Sequence, residues 1–169
     1  MRRILWLLPI CLLALGCPDE PKTVGLKRGQ IAPPLEGKDL DGKTIKLSDH
    51  RGKVVLVDFW ATWCEPCKKA IPHEKEMVKR LEGRPFAFIG VCISPAAEDL
   101  RNFLKKTPLP WPNIYDGQPG RLAEDWRVDG FPTMAVIDAE GIIRYRDYGG
   151  PGVEATIDML LAEMEHKSN

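Results

Sequence analysis

From Val54 to Trp60 the chain reads VVLVDFW, an apolar run interrupted only by Asp58. A run of this kind predicts a strand covered on both faces, because a half-solvated strand alternates polar and apolar positions. "PFAFIGVCIS", residues 85–94, is a second such strand. Alternation does occur earlier, in "DLDGKTIKLSD" around Asp41-Gly42, and there it signals a β-hairpin. Helical spacing follows each buried strand. Glu65 to Leu81 forms the first helix. A second opens with Ser94 as N-cap and Pro95 in its first turn, and carries Leu100, Phe103 and Leu104 on one face.

The remainder alternates in the same way. A short aromatic strand from Trp111 to Tyr115 leads to a brief helix near Arg121 to Trp126. "TMAVIDAEGIIRYRDYG" divides into two strands around a turn at Glu140-Gly141, and Val153 to Glu165 ends the domain as a helix with Ile157, Leu160, Leu161 and Met164 as its apolar stripe. Strands alternating with helices early, then a hairpin and a helix, predict an α/β domain with a central mixed sheet, helices on both faces and an extra N-terminal hairpin. There is no internal repeat and no second domain.

The first residues follow another pattern. "MRRILWLLPICLLALGC" has two arginines, an apolar run from Ile4 to Leu15 and then Gly16-Cys17, the order of a secretory signal. The run falls short of the roughly 20 apolar residues that span a bilayer. Ala14-Leu15-Gly16-Cys17 resembles a bacterial lipobox, which implies lipidation at Cys17; ordinary signal-peptidase cleavage before Cys17 is the alternative. Either outcome exports the protein. Residues 1–16 are therefore read as a signal peptide, 17–29 as a flexible tether rich in proline, glycine and charge, and 30–169 as the folded domain.

Composition narrows the function. With 44% hydrophobic residues the chain has material for a core, and its formal net charge is zero. Cleavage before Cys17 removes two arginines and leaves a net charge of −2. No basic block calls for nucleic acid. Of five cysteines, Cys11 falls in the signal and Cys17 at the cleavage point, which leaves Cys64, Cys67 and Cys92 in the domain. A disulfide scaffold shows four or more well-spread cysteines, so the close pair Cys64/Cys67 is there for chemistry. Cys92 lies within an apolar strand and reads as a buried small hydrophobe.

A cysteine pair at a strand-to-helix junction has a defined reactivity. Cys64 at the helix N-terminus gains from unpaired N–H groups and the helix dipole, which favour its thiolate, so it is the attacking thiol. Cys67, a turn further on, can attack the resulting mixed disulfide and release the substrate. No cofactor is required. Zinc would need four ligands, and His50, His73 and His166 show no matching spacing, so no metal is expected. Pro66 suits the first helical turn, where its missing N–H has no partner. Pro72, inside the helix, predicts a kink.

"VDFWATWCEPC" followed by Pro72, with "GFPT" at Gly130 to Thr133, resembles the two halves of a thioredoxin active site. The hairpin and Gly52-Lys53 are similar to the exported thiol-disulfide oxidoreductases of the ResA/TlpA type, in the redoxin (AhpC/TSA-like) branch. The resemblance covers about Gln30 to Glu165. It implies a thioredoxin fold and a protein disulfide oxidoreductase that reduces protein disulfides, works as a monomer and is recharged by a membrane thiol donor of the CcdA or DsbD kind. Apocytochrome c is the substrate best known for that family. It further implies a cis Phe131–Pro132 peptide facing the cysteines, and a substrate-binding surface made of Trp63, Glu65, Pro66, Phe131 and Pro132. A copper carrier of the Sco type would have a longer spacing between its cysteines. A peroxiredoxin would have threonine three positions before its cysteine, where this chain has Ala61, so thiol peroxidase activity is only an alternative, as is a non-catalytic binding module.

The chain departs from the family at one place. ResA-type proteins tend to carry a glutamate three positions after the second cysteine, and here that residue is Ala70. Asp58, six positions before Cys64, matches the acid of ordinary thioredoxins. A buried carboxylate there would have a raised pKa and could accept the proton of Cys67.

Overall fold

The computed structural model describes residues 23–168. The signal peptide, Cys17 and tether residues 18–22 lie outside the described residues. Twelve elements follow in order. Strands β1 (Glu36–Lys38) and β2 (Thr44–Lys46) form an antiparallel hairpin, and one 3-10 turn, Leu47–His50, leads on to β3 (Val54–Trp60). Then come α1 (Glu65–Arg80), β4 (Phe86–Cys92), α2 (Ala97–Lys106), β5 (Asn113–Tyr115), α3 (Arg121–Asp125), β6 (Thr133–Ile137), β7 (Ile143–Asp147) and α4 (Gly152–Ser168). The main sheet has the order β5-β4-β3-β6-β7; β3, β4 and β5 run parallel, and β6 and β7 pair antiparallel.

The turns have identifiable causes. In the hairpin loop the Asp39 carboxylate accepts the N–H groups of Asp41 and Lys43, both at 2.9 Å, and Gly42 takes φ +82°, a conformation that strains any side chain with a Cβ. Between β6 and β7, Asp138 accepts from the N–H groups of Glu140 and Ile142 and pairs with Arg144 at 3.1 Å.

Every residue of β3 is buried, as its unbroken run requires. Its side chains divide by parity. Val55, Val57 and Phe59 enter a core with Ile89, Val91, Ile114, Leu122 and Trp126, under α3 and the hairpin. Val54 and Leu56 enter a second core with Met77 of α1, Leu81 at its C-terminal cap, and Ile157, Leu160 and Leu161 of α4. Trp60 continues that second face into a third cluster with Cys64, Cys67, Cys92 and Leu100. Asp58 thus stands on the α1 side of the sheet, between a purely apolar core and the cysteines.

One expectation is corrected. Ser94 is not the N-cap of α2, which begins three residues later with Ala96 as its N-cap; there Asp99 accepts the N–H of Ala96 at 3.0 Å. The Ser94 hydroxyl is occupied elsewhere, with Thr62 and Cys92, and so cannot cap. The segment taken as the end of the tether is joined to the domain. Val24 bridges Ile31, Ile31 bridges Ile142, and the Gly29 N–H donates to the Ile143 carbonyl at 2.8 Å.

Candidate active site

The site begins where β3 ends. The Cys64 N–H closes a turn onto the Ala61 carbonyl at 3.0 Å, and the Thr62 N–H donates to the Ser94 hydroxyl at 3.2 Å, which pins this turn to the end of β4. Cys64 is the N-cap of α1 and its sulfur accepts the Cys67 N–H at 3.2 Å. The two sulfurs are joined in a disulfide with a Cα separation of 5.3 Å. Both cysteines are buried, while Trp63 beside them is 54% exposed. Oxidised and reduced forms of such a pair differ by two electrons and two protons, so the arrangement can carry out dithiol exchange.

The second part of the site comes from the loop before β6. The Phe131–Pro132 peptide is cis. Thr133 closes the loop by donating its hydroxyl to the Gly130 carbonyl at 2.7 Å. Phe131 packs on the cysteine cluster and meets Trp63 edge to face, with ring centroids 5.5 Å apart. Glu65 and Pro66 lie between the cysteines on the first turn of α1, and exposed Glu65 pairs with Lys68, whose hydrogen bond lowers its pKa. Tyr148, absent from the sequence expectations, is 56% exposed and bonds Asp129 at 2.7 Å; a Cβ on Gly130 would fall 2.8 Å from its ring. Glycine at 130 is what lets that aromatic lie against the loop.

Beneath the disulfide the polarity is unusual. Asp58 is 5% exposed and its Oδ1 has no hydrogen-bond partner. Burial raises its pKa well above the ordinary carboxylate range, and Glu74 raises it further. Glu74, also 5% exposed, is pushed by burial to about 7. Sequence reasoning missed Glu74. Its signal was spacing, since Cys67, Ile71, Glu74 and Met77 recur at three or four residues and all are buried on one face of α1. Cys92 is fully buried and burial pushes its thiol up to about 11, so it stays protonated. His73 is exposed, 3.4 Å from Glu154. No cluster of three or more potential metal ligands occurs among the described residues.

Comparison with known proteins agrees with this geometry. The AhpC/TSA family matches residues 28–146. The chain is 32% identical over 126 residues to the thioredoxin-like protein YneN of Bacillus subtilis, covering 73% of this chain and 72% of that one. It is 32% identical over 116 residues to the thiol-disulfide oxidoreductase ResA of the same organism, covering 69% of this chain and 64% of ResA. Among solved structures, a thiol:disulfide interchange protein of the thioredoxin family from Chlorobium tepidum superposes with a TM-score of 0.67 at 28% identity, over 78% of this chain and 95% of that one.

Proposed function

The chain belongs to the AhpC/TSA family and is a thiol-disulfide oxidoreductase of the thioredoxin fold, and from that premise we propose that it is an exported, membrane-tethered reductant of protein disulfides. The observation that carries the reading is the Cys64–Cys67 pair at the N-terminus of α1. In the reduced protein the Cys64 thiolate attacks one sulfur of a substrate disulfide and the other leaves as a thiolate. Cys67 then gives its proton to Asp58 and attacks Cys64 Sγ, which frees the second substrate thiol and closes the Cys64–Cys67 disulfide. Two electrons and two protons pass to the substrate.

Trp63, Glu65, Pro66, Phe131 and Pro132 form the surface that receives the substrate, with backbone next to the cis-proline pairing to an extended segment. The disulfide is then reduced by a membrane thiol donor of the CcdA or DsbD kind. The lipobox-like Ala14-Leu15-Gly16-Cys17 supports anchoring through lipidated Cys17. Apocytochrome c is a candidate substrate, one that Ala70 makes less specific to this chain.

Insulin reduction and a trapping variant test this together. Wild-type protein reduces insulin with dithiothreitol as donor, and Cys67→Ser accumulates covalent adducts through Cys64 that reductant releases. No turnover and no adduct would leave a binding module. Cys17→Ser moves the protein from membrane to soluble fraction without loss of insulin reduction; an unmodified, soluble wild type would overturn the anchor.

A further inference from the structure

The inward face of α1 is apolar apart from one residue. Cys67, Ile71 and Met77 lie in the core as expected, and Glu74 lies among them. Under it, on β3, is Asp58, whose strand neighbours on the same face are Leu56 and Trp60. Isolated carboxylates are rarely buried this deeply, because ionisation without water or a counter-charge is costly. Among the described residues no cation pairs with either carboxyl; burial acts on both, and Glu74 acts on Asp58. Two acids so placed cannot both ionise readily.

Only one of them reaches an opening. A cleft of about 400 Å³ lies between α1 and the start of α4, lined by Leu56, Ala70, Glu74, Met134, Pro151 and Val153. Asp58 does not line it. Ala70, where family relatives tend to have glutamate, contributes only a methyl group to that wall. The titratable groups facing the pair are Cys67 and His73 from α1, Cys92 from β4 and Glu154 from α4.

We infer that Glu74 is the proton outlet of the redox centre: it shares one proton with Asp58 and hands a proton to solvent through the cleft between α1 and α4. The inference rests on the reading of Asp58 as acceptor for Cys67. When Cys67 ionises, its proton joins the one already held by the pair. Cys67 sulfur bonds to Cys64 sulfur, the substrate thiolate leaves and takes a proton from solvent, and Glu74 releases one proton into the cleft. The pair returns to a single proton and a single negative charge. Glu74 touches no reacting sulfur and acts through Asp58, as a positioning residue.

Two measurements test this. In carboxyl carbon NMR of the wild type, both Asp58 and Glu74 titrate in two steps; one independent step for each overturns proton sharing, whatever any variant does. In stopped flow, the Cys64 mixed disulfide with thionitrobenzoate is resolved by Cys67. Glu74→Gln slows that step about ten-fold at neutral pH and leaves Cys64 alkylation unchanged. Glu74→Ala, which opens the cleft toward Asp58, is slowed alike and restored by added formate, a readout that a structural role would not give. Unslowed Glu74 variants beside a slow Asp58→Asn, or an Ala variant that formate does not restore, overturn the outlet while leaving Asp58 in place. An unslowed Asp58→Asn overturns the acceptor reading itself, and the outlet with it.

Discussion

Trp63 and Phe131, far apart in sequence, meet edge to face with ring centroids 5.5 Å apart, and Phe131 packs on the cluster that holds the disulfide. One ring belongs to the turn that ends in Cys64 and the other to the loop that carries the cis-proline, so the contact joins both halves of the site. Aromatic pairs of this geometry contribute roughly 0.5–1.5 kcal/mol beyond their buried area. Trp63→Ala lowers kcat/KM for a protein disulfide by about ten-fold, while the rate with a small aromatic disulfide is retained. Equal loss on both substrates would place Trp63 in the chemistry rather than the rim.

The three thiols of the domain differ in environment. Cys64 caps α1, Cys67 is one turn inside, and Cys92 is fully buried with its thiol pushed up to about 11. Iodoacetamide therefore labels Cys64 of the reduced protein first, and Cys92 only after unfolding. Mass spectrometry of a labelling time course checks the order, and simultaneous labelling of all three would contradict it.

Glu74 links the site to pH-dependent stability. Burial raises its pKa from 4.5 to about 7, so between those limits the native state binds more protons than the unfolded one. Stability is full below about 4.5 and falls as pH rises through 7. The loss is on the order of 3 kcal/mol, and Asp58, also raised, adds in the same direction. Glu74→Gln flattens this dependence and makes the oxidised protein more stable than wild type at pH about 8. Urea unfolding at acid and mildly alkaline pH measures it; parallel curves for the two proteins would refute the burial cost.

Ser94 binds the active-site turn to β4. Its hydroxyl accepts the Thr62 N–H at 3.2 Å and lies 3.0 Å from the Thr62 hydroxyl and 3.3 Å from Cys92 Sγ. Ser94→Ala strands the Thr62 N–H and costs about 1–3 kcal/mol, with α2 unaffected because Ser94 does not cap it. Denaturant unfolding gives the first quantity and far-ultraviolet circular dichroism checks the second.

The strand β3 and the helix α1 were legible because their signals are local: an unbroken apolar run, then a cysteine, a proline and helical spacing. The hairpin was legible because Asp39 and Gly42 make a turn from their own side chain and backbone. Ser94 was misread for a reason of range, since the Thr62 groups that engage it come from a different strand end. Glu74 was missed because it stands in a helix rich in Lys and Glu, although its spacing from Cys67, Ile71 and Met77 puts it on their buried face. Tyr148 reaches the site through the fold alone, and the cis Gln118–Pro119 peptide carried no motif to announce it.

The bridges of Val24 and Ile31 and the hydrogen bond of Gly29 give the molecule a polarity. Gly29 and Ile31 attach at Ile142 and Ile143, where β7 starts. Ile143 pairs with Ile137, and Ile137 pairs with Val55 near the start of β3. From Val55 to Trp60 a strand extends roughly 17 Å, and Cys64 lies beyond Trp60. The described N-terminal segment, from residue 23, thus meets the sheet at one pole while the disulfide occupies the other. On the proposed anchoring through Cys17, that arrangement sets the reactive end on the side of the domain away from the surface.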